Sequence, residues 1–158
     1  MLILNNNTRS LEIVLGGAVT LNQLPFIVNY VNYTPSRYDS FYSTPGVTNS
    51  TTAVTLLAAP VIGGRRTVQS LSVYNEDTGS ATVTIRLNND GILRNIVSVV
   101  LATLDHLIYT STAGWFVMTS AGFIKSTLTA TNLDDLGDVV ITTPATNAIL
   151  AYDGTNWI

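Results

Sequence analysis

The feature that most constrains the fold is the strict alternation of apolar and polar side chains in ATVTIRLN, residues 81–88. Its odd-numbered residues are Ala, Val, Ile and Leu, so one face of an extended strand is apolar and the other is polar. Asp90-Gly91 follows, a pair that readily adopts the positive φ angles of a tight hairpin turn. The chain then returns through ILRNIVSVVLAT, which is apolar on both faces between Ile96 and Leu101 apart from Ser98. We therefore predict a hairpin whose second strand is covered on both sides.

The rest of the chain repeats this pattern and has almost no helical periodicity. Short β-branched runs are separated by Gly, Asn, Asp and Pro, which is typical of an all-β sandwich or barrel. Further strands are predicted in TTAVTLLAAP, RRTVQSLSVYNE, DHLIYT, GWFVMTS and GFIKS. We predict an all-β fold, a jelly-roll-like β-sandwich.

The sequence divides into three segments. Residues 1–23 carry two short strand-like pieces around Gly16-Gly17, and we expect them to form an extended N-terminal arm that lies on another surface. Residues 24–125 hold the β-sandwich domain. Residues 126–158 comprise a Thr-rich linker and a small C-terminal β module.

The composition limits the classes of function. Charged residues are only 11% of the 158 residues, against about 25% in an average soluble domain. Such a surface is covered by Thr, Ser and Asn, or is buried against copies of the same chain. The net charge is −3 without a basic cluster, which argues against nucleic-acid binding.

The absence of cysteine removes disulfides, Cys-ligated zinc and thiol chemistry. The opening MLILNNNTRS is too short and uncharged for a signal peptide, and no apolar run reaches membrane-spanning length. We expect a protein made in a cytoplasm, with no membrane partner.

Two parts of the chain resemble virion proteins of tailed bacteriophages. The first comprises SLEIVLGGAVTLNQLPFIVNYV, TTAVTLLAAP, LSVYNEDTGSATVTIRLN and GWFVMTSAGFIK, and it is similar to a phage structural domain. The second, LDDLGDVVITTPATNAILAYDGTNWI, is similar to a short module of phage tail fibres. The positions that match this module are Leu133, Leu136, Asp138, Val139, Pro144, Leu150, Tyr152, Asp153 and Trp157.

The C-terminal module is too small to enclose a core of its own. Small domains without disulfides commonly need oligomerisation, and the resemblance to phage fibres implies three chains around an axis. Burial of the Trp157 side chain alone would contribute about 2–3 kcal/mol. The predicted oligomer interface consists of Leu133, Leu136, Val139, Ile141, Leu150, Tyr152 and Trp157.

Candidate chemistry is sparse. His106 is the only histidine, and its neighbour Asp105 would point to the opposite face of a strand, so a half-exposed strand histidine explains it better than a general base. The aspartates of LDDLGD lack the spacing of a calcium loop and suit capping of a helical turn. Glu12 and Glu76 do not indicate a glycosidase pair. The GGRR run lacks the rest of a P-loop and is interpreted as a turn with two arginines.

The best surface candidate is YVNYTPSRYDSFYSTPG, a stretch rich in aromatic residues that Pro and Ser interrupt. We predict a docking loop, because aromatic residues and arginine are enriched at protein–protein contacts. Core packing beneath a loop and glycan binding are the alternatives. The candidate docking residues are Tyr30, Tyr33, Arg37, Tyr38, Phe41 and Tyr42.

These observations lead to one functional expectation: a non-enzymatic structural component of a tailed phage virion. We expect a homotrimeric tail-fibre, adaptor or fibre-base protein without cofactors or metals, assembled in the host bacterial cytoplasm. The alternatives are a capsid decoration (cement) protein, which binds the major capsid protein, and a glycan-binding receptor-recognition protein.

Overall fold

The protein is a β-sandwich of two antiparallel sheets. The structure, a computed structural model, describes residues 1–34 and 37–125, and for residues 37–40 it describes only the backbone. The strands are β1 (Leu2–Leu4), β2 (Arg9–Leu15), β3 (Pro25–Thr34), β4 (Arg37–Val47), β5 (Val54–Leu57), β6 (Arg65–Tyr74), β7 (Ala81–Asn89), β8 (Ile92–Leu101), β9 (His106–Thr110) and β10 (Gly114–Met118). Within this part of the chain there is no helix, and so none that could cross a membrane. The prediction of an all-β sandwich is confirmed.

The two sheets differ in size. Sheet A has the order β10-β9-β6-β3-β4, and the short β1 pairs with the first half of β6 on the side that β9 occupies farther along. Sheet B has the order β5-β2-β7-β8. The pairs β3–β4, β7–β8 and β9–β10 are antiparallel neighbours within one sheet. The jelly-roll-like strand order is not confirmed by this topology and stays a prediction.

The core lies between the sheets and is built from alternate residues. Leu11, Ile13 and Leu15 of β2 point inward beside Val83 and Ile85 of β7, and each is at most 3% exposed. Sheet A covers them with the buried side chains Phe26, Val28, Val68, Leu71, Val73 and Leu107. Each buried leucine or isoleucine contributes about 1.5–3 kcal/mol relative to exposure.

The hairpin predicted from ATVTIRLN-NDG is confirmed. Asp90 and Gly91 have φ angles of 54° and 83°, the left-handed values that a two-residue turn between twisted strands requires. The Asn88 side chain accepts a hydrogen bond from the Gly91 N–H at 2.8 Å. GFIKS, by contrast, does not form a strand, since only an isolated bridge joins Met118 to Ile124.

The N-terminal arm predicted for residues 1–23 is wrong. β2 lies inside sheet B between β5 and β7, and β1 adds Leu4, with no exposed surface, to the core. Only the piece before Gly16-Gly17 forms a strand, β2. Its neighbours β5 and β7 lie far along the chain, so the local pattern did not show its place in the sheet. Met1–Lys125 therefore form one compact unit.

We expect Gly46→Ala to destabilise the sandwich by about 1–3 kcal/mol, the usual effect of overpacking. Gly46 pairs with Phe26, and a Cβ there would lie 2.4 Å from the ring of this buried phenylalanine. Urea unfolding monitored by circular dichroism measures the change. The control is Gly17→Ala, whose Cβ would have nothing within 4 Å and which should change stability by less than about 0.5 kcal/mol. Equal effects of the two substitutions would contradict this packing.

Candidate interaction surfaces

The predicted docking residues lie on a β-hairpin and not on a loop. β3 carries Tyr30 and Tyr33, and β4 carries the remaining four: Arg37, Tyr38, Phe41 and Tyr42. The expectation of a loop is therefore wrong, because aromatic residues pair well across strands and this preference outweighs the interrupting Pro and Ser. Pro45 is accommodated since β4 is the edge strand of sheet A.

The hairpin fixes several of these rings against their neighbours. Tyr30 stacks on Tyr42 with ring centroids 5.6 Å apart, and it also packs against the core. The guanidinium of Arg66 lies 5.2 Å from the Tyr30 ring centroid, and that of Arg65 lies 4.3 Å from the Tyr33 centroid. Tyr30 therefore agrees with the core-packing alternative, whereas Phe41 and Tyr42 are exposed.

One face of the hairpin carries exposed apolar side chains, which we call the hairpin surface: Ile27, Phe41 and Val47. Ile27 pairs with Pro45, Phe41 with Val31, and these odd-numbered positions share the outer face of sheet A. Phe41 is 70% exposed and Val47 is 54% exposed. A phenylalanine so exposed on a regular strand is available for contact with another protein.

A second exposed apolar surface lies on β8, and the sequence analysis missed it. Ile92, Leu93, Ile96 and Val100 are all more than a third exposed. Leu93 and Val100 share the outer face of sheet B, opposite Asn88 and Thr82, and we call these two the β8 surface. The prediction that this strand is covered on both sides is wrong, because β8 is the edge strand of sheet B. An unbroken apolar run in the sequence is compatible both with a buried central strand and with an edge strand that has exposed apolar side chains.

The two surfaces lie at opposite edges of the sandwich. β4 forms the edge of sheet A on the side where sheet B ends in β5, and β5 contacts both β3 and β4. β8 forms the other edge of sheet B. Each molecule thus presents two different apolar surfaces that face away from each other.

The buried carboxylates serve the fold. Asp77 is 2% exposed and accepts backbone hydrogen bonds from Thr20 and Leu21, both at 2.7 Å, and from Asn22 at 3.1 Å. These hydrogen bonds, of which the one from the Thr20 N–H has the largest effect, lower the pKa of Asp77 from 3.8 to about 2. Burial acts in the opposite direction. Asp77 thereby holds the β2–β3 connection against the β6–β7 connection.

Asn75 and Asp105 extend this arrangement to a third loop. The fully buried Asn75 amide donates to the carbonyls of Gly79, Leu101 and Ala102 at 2.9–3.0 Å. Asp105 accepts from the Ala102 N–H and lies 3.4 Å from Lys125 Nζ. Both side chains are therefore engaged in joining loops at one end of the sandwich.

The other residues considered for chemistry have structural contacts. His106 is half-buried with its ring 4.3 Å from that of Tyr74, its partner across β6 and β9. Glu12 pairs with Arg86 across β2 and β7 at 3.0 Å. Gly63-Gly64 form a turn closed by a hydrogen bond from the Gly64 N–H to the Val61 carbonyl, as the sequence indicated. Among the described residues, no three His, Cys, Asp or Glu are grouped as a metal would require.

The predicted oligomer interface lies outside the described residues. This applies to Leu133, Leu136, Val139, Ile141, Leu150, Tyr152 and Trp157, and also to the aspartates of LDDLGD. Their role stays a prediction.

Comparison with known proteins found no matching family model, no matching curated protein and no matching solved structure.

We expect acid to weaken the fold partly through Asp77. A carboxylate whose pKa is lower in the folded state stabilises above its unfolded pKa, and this contribution is lost as the pH falls from about 4 towards 2. Asp77→Asn should lower the free energy of unfolding at pH 7 and flatten its pH dependence in that window. Urea unfolding at a series of pH values tests this.

The control for this experiment is Glu76→Gln, which removes an exposed neighbouring carboxylate and leaves the three Asp77 contacts in place. If Asp77→Asn and Glu76→Gln give the same slope between pH 4 and pH 2, the proposed contribution of Asp77 is wrong.

Proposed function

We propose that this chain is a non-enzymatic structural protein that acts by packing against copies of itself and against other proteins of a tailed phage virion. The observation that carries the proposal is the pair of exposed apolar surfaces at opposite edges of one β-sandwich. The resemblance to phage virion proteins supplies the setting, a homotrimeric tail-fibre, adaptor or fibre-base protein.

Two unlike surfaces on opposite edges suit a closed ring. In a ring each copy uses one surface to contact a different surface of the next copy, whereas a two-fold dimer uses one surface twice. The hairpin surface of one protomer would meet the β8 surface of its neighbour. Three copies would bury all six surfaces, which accounts for apolar side chains on a chain with few charges.

The edge strands favour contact through side chains over the addition of strands. β4 contains Pro45, and β8 has an extra residue at Ile96 between the partners of Ile85 and Arg86. Proline and bulges are features by which natural edge strands prevent pairing with other sheets. The proposed contact is therefore between sheet faces, with Phe41 and Val100 near its centre.

A structural role also agrees with the use of the polar groups. Asp77, Asp105 and Glu12 each have hydrogen-bonding partners that stabilise loops or strands. None of these carboxylates is paired with a nucleophile as acid–base catalysis would need. This supports a protein that binds and assembles.

We expect Phe41→Ser and Val100→Ser each to weaken assembly by about 2 kcal/mol per contact, roughly thirtyfold in dissociation constant. Both remove apolar area from a surface proposed to be buried between protomers. Sedimentation equilibrium of the full chain measures the effect. The control is Ile62→Ser, because Ile62 is 81% exposed in the β5–β6 connection and belongs to neither surface. Assembly that is unchanged in both variants, or weakened equally in the control, would contradict the proposed ring.

The C-terminal interface is tested separately. A chain truncated after Lys125 retains the compact unit Met1–Lys125 and lacks every residue of the predicted oligomer interface. We expect the truncated chain to form an oligomer with fewer copies than the full chain does, as measured by its mass in solution. The same number of copies would contradict the role of residues 126–158. The number of copies per virus particle distinguishes a location on the head from one on the tail. Hundreds of copies indicate capsid decoration, while a few dozen or fewer indicate the tail.

A further inference from the structure

A cleft of about 500 Å³ opens between the two sheets on the side of β8 and β10, and the proposed assembly does not use it. We call it the inter-sheet cleft. Leu2, Leu87 and Ile96 give it apolar walls, and Trp115 and Tyr109 line it from sheet A. Its volume is within the range of small-molecule sites and too small for a folded protein partner.

In the part of the chain that the structure describes, Arg94 is the one charged side chain that lines this cleft. Arg94 pairs with Leu87 across β7 and β8, so its side chain points to the inner face of sheet B, as Leu87 does. Within residues 1–34 and 37–125, no carboxylate forms an ion pair with it. Arg94 is exposed, so its guanidinium lies at the open side of the cleft, where it can pair with an anion from solution.

Tyr109 adds a second polar group. It is 4% exposed, and its buried hydroxyl has no hydrogen-bond partner. The Trp115 ring covers it with a centroid distance of 4.9 Å. Since Trp115 is on β10, an edge strand with a single neighbour, a shift of this side chain would open the hydroxyl to an acceptor in the cleft.

We propose that the inter-sheet cleft binds a small organic anion with an apolar body, such as an alkyl carboxylate, and that Arg94 pairs with its carboxylate. The apolar walls would hold the alkyl chain, and the Tyr109 hydroxyl would donate to a carboxylate oxygen. The competing interpretation is that Arg94 is an inward-pointing charge that protects the β8 edge from strand addition.

The test is an NMR titration of the full chain with octanoate, octan-1-ol and acetate. Octanoate should bind with a dissociation constant of about 1 mM or lower, as expected for a ligand of this size, and should shift amides near Arg94, Tyr109 and Trp115. Octan-1-ol lacks the charge and acetate lacks the chain, so each should bind at least tenfold more weakly. Equal affinity for octanoate and octan-1-ol, or shifts confined to other parts of the protein, would overturn the proposal.

Two variants assign the contacts. Arg94→Gln should weaken octanoate binding about tenfold, whereas Arg65→Gln, which removes an exposed arginine outside the cleft, should leave it unchanged. Tyr109→Phe should weaken binding severalfold and raise the melting temperature of the free protein, because it removes an unsatisfied buried hydroxyl. Unchanged affinity in Tyr109→Phe would overturn the hydroxyl contact.

Arg94→Gln also separates the two interpretations. Increased self-association with unchanged octanoate affinity would show that Arg94 protects the edge and would overturn the proposal. Because the Phe41→Ser and Val100→Ser variants leave the cleft intact, octanoate binding and assembly can fail independently of each other.

Discussion

Sheet B depends on the central position of β2, which pairs with β5 on one side and with β7 on the other. Without β2, β5 would lose its neighbour in the sheet, and only the β7–β8 hairpin would face sheet A. Leu11, Ile13 and Leu15 of β2 also supply a large part of the buried surface between the sheets. Since isolated two-stranded hairpins are marginally stable, the whole sandwich requires this long-range pairing.

Several charged and amide side chains join places where the chain changes direction or where strands meet. Asp77 and Asn75 join the connections at one end of the sandwich, while Glu12 and Arg86 join two strands of sheet B. These groups have partners inside the molecule, while the exposed surface includes apolar side chains on the edge strands β4 and β8. This distribution connects the low charge of the chain with its exposed apolar edges.

In the described part of the chain, the strands at the two ends of each sheet have features that limit the addition of further strands. β5 and β10 have only four and five residues, β4 contains Pro45, and β8 has a bulge. The exposed apolar side chains therefore lie on strands that are poor templates for sheet extension. Contact through the sheet faces, as proposed for the hairpin and β8 surfaces, is the mode of association that these edges leave open.

The sequence by itself determined the class of fold, several strands and the Asp90-Gly91 turn. Period-two alternation and turn chemistry are local properties, and they act in the same way wherever a strand lies in a sheet. The tertiary structure decided the environment of each strand: β2 became central, β8 became an edge, and the aromatic stretch became a hairpin. These outcomes depend on pairing between residues far apart in the chain, such as Ile13 with Ile85 and Tyr30 with Val68, which no local pattern specifies. The inter-sheet cleft had no signal in the sequence, because Arg94 and Trp115 meet there only when two sheets stack.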